Sequence, residues 1–152
     1  AGGADQFDDI TMLCIEMKAA SDMKKLRLAP TLEQLAQATD FFESILTEAG
    51  ASMKVIAQVN VAVDEIFSNI ARYSGATSVV LGCSLKDGKA TLRFSDNGRP
   101  YDPTERSDPD TTQSAEEREV GGLGIFMVKK LMDEVTYEYA DGSNILTLVK
   151  SL

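Results

Sequence analysis

The stretch TSVVLGCSLKDGKATLRFSD, residues 77–96, sets the architecture. Two apolar runs, 77–85 and 90–95, flank Lys86-Asp87-Gly88-Lys89, and an Asp-Gly between such runs is a hairpin signal. An antiparallel pair therefore stands in the middle of the chain, and its neighbours must pack on it. Upstream, a helix over 52–73 puts Val55, Ile56, Val59, Val63, Ile66, Phe67 and Ile70 on one side. Before it, Leu32, Leu35, Ala38, Phe42, Ile45, Leu46 and Ala49 repeat at helical spacing and stop at Gly50. Thr31 and Gln34 form a capping-box pattern at the start of that helix. Short strands are expected over 24–28 and 10–15. Downstream, a helix over 124–134 leads to a second hairpin, 136–140 and 144–149, turning at Asp141-Gly142. This order of elements describes a two-layer α/β sandwich: one mixed, mostly antiparallel sheet with helices on one face.

Composition narrows the function classes. The 152 residues suit one domain with a short appendage and can bury a core without disulfide or metal staples. Twenty-four acids against 15 bases give −9, and the densest basic cluster, Lys24, Lys25 and Arg27, is short, so neither nucleic acid nor an anionic membrane is an expected partner. The absence of histidine excludes a Ser-His-Asp hydrolase, a zinc enzyme with His ligands and a phosphohistidine carrier within this chain. No apolar run approaches the roughly 18 residues of a membrane span. Cys14 and Cys83 form no CxxC, and read as free thiols of a cytoplasmic protein.

Three features carry chemistry. On the wheel of the 52–73 helix, Gln58, Glu65, Asn69 and Arg72 fall within about 60° of one another, beside the apolar arc. A carboxylate and a carboxamide four residues apart can hold an oxygen-liking cation and accept a proton from a hydroxyl; the plainer alternative is a solvated i,i+4 pair. Asp96-Asn97-Gly98 ends an alternating strand, where a buried carboxylate could accept from an exocyclic amine, or where an Asx turn simply ends the strand. Gly121-Gly122-Leu123-Gly124 opens a helix, giving either an anion-binding set of backbone N–H groups or hinge glycines. The spacing is neither a Walker nor a Rossmann motif. Between the last two features, residues 102–119 carry seven acids and two arginines, and are read as a polar lid.

In combination, Asp64-Glu65-Ile66-Phe67-Ser68-Asn69, Asp96-Asn97-Gly98 and Gly121-Gly122-Leu123-Gly124 resemble the GHKL ATPase superfamily. Within it the chain looks most like the bacterial anti-sigma-factor serine/threonine-protein kinases. The resemblance implies ATP and Mg²⁺ as cofactors, with Asn69 as the Mg²⁺-binding asparagine and Glu65 as the general base. Asp96 matches the adenine-reading aspartate and Gly98 the glycine that lets the base approach. Gly121, Gly122, Leu123 and Gly124 match the phosphate side, with Arg72 beside them on the helix rim, and Thr147 the threonine near the adenine. It implies transfer of the γ-phosphoryl group to a Ser or Thr of an anti-anti-sigma (STAS-like) partner, with a sigma factor as a further partner and a homodimer as the common state. The alternative is a nucleotide-gated module that sequesters its partner without phosphoryl transfer. Val120 departs from the family, which often carries a basic residue there. Residues 1–21, with Phe7-Asp8-Asp9-Ile10-Thr11-Met12-Leu13, resemble the end of a type-2C-like phosphatase of the stage II sporulation class. Asp8 would bind a metal only in an intact phosphatase domain, and residues 22–152 would form the ATP-binding kinase domain.

Overall fold

The computed structural model describes residues 23–105 and 122–152. The expected strand at 10–15, Asp8, most of the 102–119 segment and Gly121 lie outside the described residues.

Strand β1 (Lys24–Leu28) leads through a 3-10 turn (Leu32–Gln34) into helix α1 (Leu35–Glu48), followed by α2 (Met53–Tyr73). The capping box is not formed: Thr31 makes no side-chain cap, because the first turn winds as a 3-10 turn closed by the Gln34 N–H on the Thr31 carbonyl. Ser52 does cap α2, its hydroxyl accepting from the Val55 N–H at 3.2 Å. The hairpin β2 (Val79–Lys86) and β3 (Lys89–Asp96) follows, then α3 (Gly122–Leu131), then the hairpin β4 (Glu134–Ala140) and β5 (Ser143–Ser151). Both hairpins turn on Asp-Gly with positive φ at both residues, 54° and 74° at Asp87-Gly88 and 53° and 75° at Asp141-Gly142. That geometry matches the right-handed twist of the strands.

The sheet runs β1-β2-β3-β5-β4, and every pairing is antiparallel, so no parallel strand is present among the described residues. Its inner face (Leu28, Val79, Leu81, Cys83, Leu92, Phe94, Leu146, Leu148) packs with Phe42 and Leu46 of α1, Val63 and Phe67 of α2 and Val128 of α3. Phe42 and Phe94 meet at 5.4 Å between ring centres, joining α1 to the middle strand. Cys83 belongs to this core, and burial pushes its thiol up to about 11, which leaves it an inert apolar side chain. No described helix is long and apolar enough to cross a membrane.

Helix α3 ends at Leu131, short of the expected 134, because β5 takes over its exit. The Asp133 N–H donates to the Val149 carbonyl at 2.9 Å, the Ser151 N–H donates to Asp133 Oδ2 at 2.6 Å, and Lys150 Nζ donates to the Leu131 carbonyl at 2.7 Å. The backbone N–H of Ser151, with its hydroxyl, holds the Asp133 carboxyl below its ordinary 3.8. A depressed carboxyl pKa contributes stability that is present above the unfolded value and lost as pH falls through the folded one. Asp133→Asn is therefore expected to flatten the acid limb of a stability–pH curve below pH 3.8, read by denaturant melts.

Gly98 is required by a close approach. A Cβ there would strike the Ser74 carbonyl oxygen and come within 2.8 Å of Ser74 Cβ, at the point where the Arg99 N–H donates to that carbonyl at 3.0 Å. The obstacle is backbone and cannot swing aside. Gly98→Ala is expected to cost about 1–3 kcal/mol, seen as a lowered thermal midpoint.

Candidate functional site

The core stops short of the end of the sheet and leaves a cavity of about 510 Å³ between α2, the ends of β3 and β5, the 97–103 connection and the first turns of α3. That is the size of a small-molecule pocket. Ile66, Ile70, Phe94, Ile125 and Leu146 give it apolar walls, and Asn69, Asp96, Tyr137 and Asn144 supply polar groups.

Asp96 and Asn144 are the most buried of these groups. Alternation along β3 turns Ala90, Leu92, Phe94 and Asp96 to the same face, so the carboxylate is only 6% exposed. Its Oδ1 accepts from the Gly98 N–H at 2.9 Å and from Asn144 Nδ2 at 3.2 Å. No described residue donates to Oδ2. The Asx turn and the buried carboxylate are thus one arrangement: the turn occupies Oδ1 and leaves the other oxygen to the cavity. Asn97 has a separate task, its Oδ1 accepting from the Thr77 N–H at 2.8 Å and the Ser78 N–H at 3.2 Å to strap the loop onto the start of β2.

On α2, Asn69 Nδ2 donates to Glu65 Oε2 at 2.8 Å, so the i,i+4 pair forms. The amide nitrogen being engaged, Asn69 Oδ1 is the atom left for a cation. A Cβ on Gly124 would collide with the Glu65 carboxylate, which places that carboxylate against the first turn of α3. The partial positive charge of a helix N-terminus favours an anion there. Among the described residues no three acidic or cysteine side chains gather into a metal cluster. One carboxamide oxygen fits a cation that brings phosphate and water ligands with it, as Mg²⁺ does on a nucleotide.

Gly122, Leu123 and Gly124 all lie in the first turn of α3, which starts two residues before the expected 124. Arg72 is exposed and is not among the residues that line the cavity. Thr147 is also displaced. It pairs with Arg93 on the outer face of the sheet, whereas Asn144 and Leu146 face the cavity. At Gly98 the added Cβ would meet Ser74 at the end of α2. Sequence reasoning missed Asn144 and Tyr137. The signal for Asn144 was its parity with Leu146 and Leu148, which makes it a polar residue at a buried position. Burial, aided by the nearby Asp102 and Asp96 carboxylates, pushes the Tyr137 phenol up from its ordinary 10.0, so it donates at neutral pH.

An antiparallel sheet backed by helices, with an asparagine and a glutamate on one helix, an aspartate at a strand end and glycines opening the facing helix, is the arrangement of a nucleotide-dependent phosphotransfer domain. The chain belongs to the histidine kinase-like ATPase domain family, whose model matches residues 28–150. It is similar to the serine-protein kinase RsbW of Listeria monocytogenes, 26% identical over 86% of this chain and 88% of that kinase. It is similar to the same degree, 26%, to the serine/threonine-protein kinase BtrW of Bordetella bronchiseptica, over 85% of this chain and 94% of that protein. The solved RsbU and RsbW domains of a Mycobacterium tuberculosis protein share the fold, with a TM-score of 0.63 and 20% identity over 87% of this chain. This chain spans 33% of that structure's length.

Glu65 is the flexible partner at Gly124, in contrast to the fixed backbone at Gly98. Gly124→Ala is expected to leave the thermal midpoint near wild type, since alanine adds up to about 1 kcal/mol of helix propensity. The Asn69 side-chain amide resonances should nevertheless shift in NMR spectra, as they should in Glu65→Ala.

Proposed function

We propose that the chain is an ATP-dependent serine/threonine-protein kinase of the anti-sigma-factor type, transferring the γ-phosphoryl group of ATP to a Ser or Thr of an anti-anti-sigma (STAS-like) protein. The observation that carries this reading is a pair of groups lining one cavity: a buried Asp96 with an unshared oxygen, and Asn69, which is bonded to Glu65 where that carboxylate meets the first turn of α3. Its membership of the ATPase family and its likeness to kinases over most of their length support it.

In this reading Asp96 Oδ2 accepts from the exocyclic amine of adenine, and the apolar walls cover the ring. The first turn of α3, from Gly122, offers backbone N–H groups to the phosphates. Asn69 Oδ1 holds Mg²⁺, which neutralises charge on the phosphates when bound. Glu65 Oε1, to which no described residue donates, accepts the hydroxyl proton of the partner's Ser or Thr as its oxygen bonds to the γ-phosphorus and ADP leaves. A sigma factor is proposed as a second partner, and the cytoplasm as the setting.

A second copy of the chain is the remaining proposed partner. On the outer face of the sheet, Lys25 and Arg27 are exposed on β1, in one half, and Glu134 and Glu138 on β4, in the other. A two-fold axis parallel to the strands would lay one half on the other with opposite charges facing. Residues 1–21 are proposed to end a type-2C-like phosphatase domain preceding the kinase domain of 22–152. In support, the solved Mycobacterium tuberculosis protein holds an RsbW domain together with a second domain, RsbU.

Incubation with Mg²⁺, γ-labelled ATP and a STAS-like protein is expected to label that protein. Glu65→Gln should lower the rate by about 10²–10⁴ while ATP titrations stay near wild type, and Asn69→Ala should weaken the Mg²⁺-dependent part of binding. Tight ATP binding without any label would favour the sequestering module. Transfer unchanged in Glu65→Gln would remove the base assignment.

A further inference from the structure

Asn144 opens the inner face of β5 directly opposite Asp96 and is 6% exposed. Its carboxamide is fully engaged. Nδ2 donates to Asp96 Oδ1 at 3.2 Å and to the Arg99 carbonyl at 2.8 Å, while Oδ1 accepts from the Tyr101 N–H at 3.0 Å and from the Tyr137 hydroxyl. The two ends of a carboxamide are nearly alike in shape, so its orientation is set by its partners. Here the Tyr101 N–H can only donate and the Arg99 carbonyl can only accept. The NH₂ end must therefore face Asp96.

The consequence falls on Asp96. With Gly98 and Asn144 both donating to Oδ1, the carboxylate cannot turn, and the cavity meets one oxygen, an acceptor. An exocyclic amine at C6 of a purine matches that single acceptor. A 6-oxo purine sets a lone pair against it. Guanine would instead use its ring N–H and its 2-amino group as a two-pronged donor, which needs both carboxylate oxygens.

We propose that Asn144, held in place by Tyr137, is a positioning residue that restricts Asp96 to one free oxygen and so makes the site select 6-amino over 6-oxo purine nucleotides. The inference rests on the reading of Asp96 as the group that meets the base. In this assignment Tyr137 acts on the base through Asn144, and Asn144 through Asp96, although both also line the cavity.

Calorimetric titration of the whole chain with ATP, ITP and GTP tests it, in wild type, Asp96→Asn, Asn144→Ala and Tyr137→Phe, with thermal midpoints recorded alongside. Wild type should prefer ATP, and Asp96→Asn should lose that binding. Asn144→Ala should lower the ATP-to-GTP affinity ratio about tenfold, the equivalent of one hydrogen bond. Tyr137→Phe, which deletes a single hydroxyl, should lower it by a smaller factor at near-normal stability. A general packing defect would weaken every nucleotide alike and hold the ratio, and that result in both variants overturns the proposal. Wild type without ATP binding, or Asp96→Asn binding ATP equally well, overturns the Asp96 reading and this inference with it.

Discussion

The end of β3 carries a burden that shapes everything near it: a carboxylate turned inward on a strand whose other inward residues are Ala90, Leu92 and Phe94. A carboxylate removed from water without donors is strongly unfavourable. The chain supplies the donors locally and from across the sheet, with the Gly98 N–H two residues on and the Asn144 amide on the paired strand. Those two bonds explain why the connection after Asp96 is tight and why β5 begins on a polar residue. They also explain why the cavity lies where the apolar core ends. The site is the place where the sheet's inward pattern changes from oil to hydrogen bonds.

Two glycines border this region for different reasons. Gly98 lets the loop pass under the last residue of the α2 exit, against a carbonyl that cannot move. Gly124 makes room for the tip of a side chain, Glu65, which can. The first is part of the frame. The second lets a carboxylate from one helix rest on the start of another, which a larger residue at that position would prevent.

Much of the frame was legible in the sequence because local signals and tertiary demands agreed. The helix over Met53–Tyr73 and both hairpins rest on strong periodicity and on Asp-Gly pairs that adopt the left-handed conformations such turns need. Ends were less legible. The capping pattern at Thr31 lost to a 3-10 turn, and α3 stopped early because Asp133 is held by β5, a partner distant in the chain. In the site, Glu65, Asn69, Asp96 and Gly124 come to the cavity or its rim because each lies on a segment whose face was already determined. Arg72 and Thr147 do not. For Thr147 the deciding fact was strand parity, since one step along β5 exchanges the cleft for the opposite surface. Tyr137 was out of reach, because its importance comes from meeting Asn144 across a hairpin rather than from any motif of its own.

Among the described residues the sheet is open, and its outermost strands, β1 and β4, each have one edge without a partner strand. Such borders are templates on which like chains can stack into fibres. Here β1 has only five residues, three of them Lys24, Lys25 and Arg27, while β4 sets Glu134 and Glu138 toward water. A chain that met its own kind border to border, like on like, would bring cations onto cations at one rim and acids onto acids at the other. The borders therefore discourage like-on-like pairing without a single residue of the cleft being involved, whereas β1 of one molecule against β4 of another would set cations beside acids.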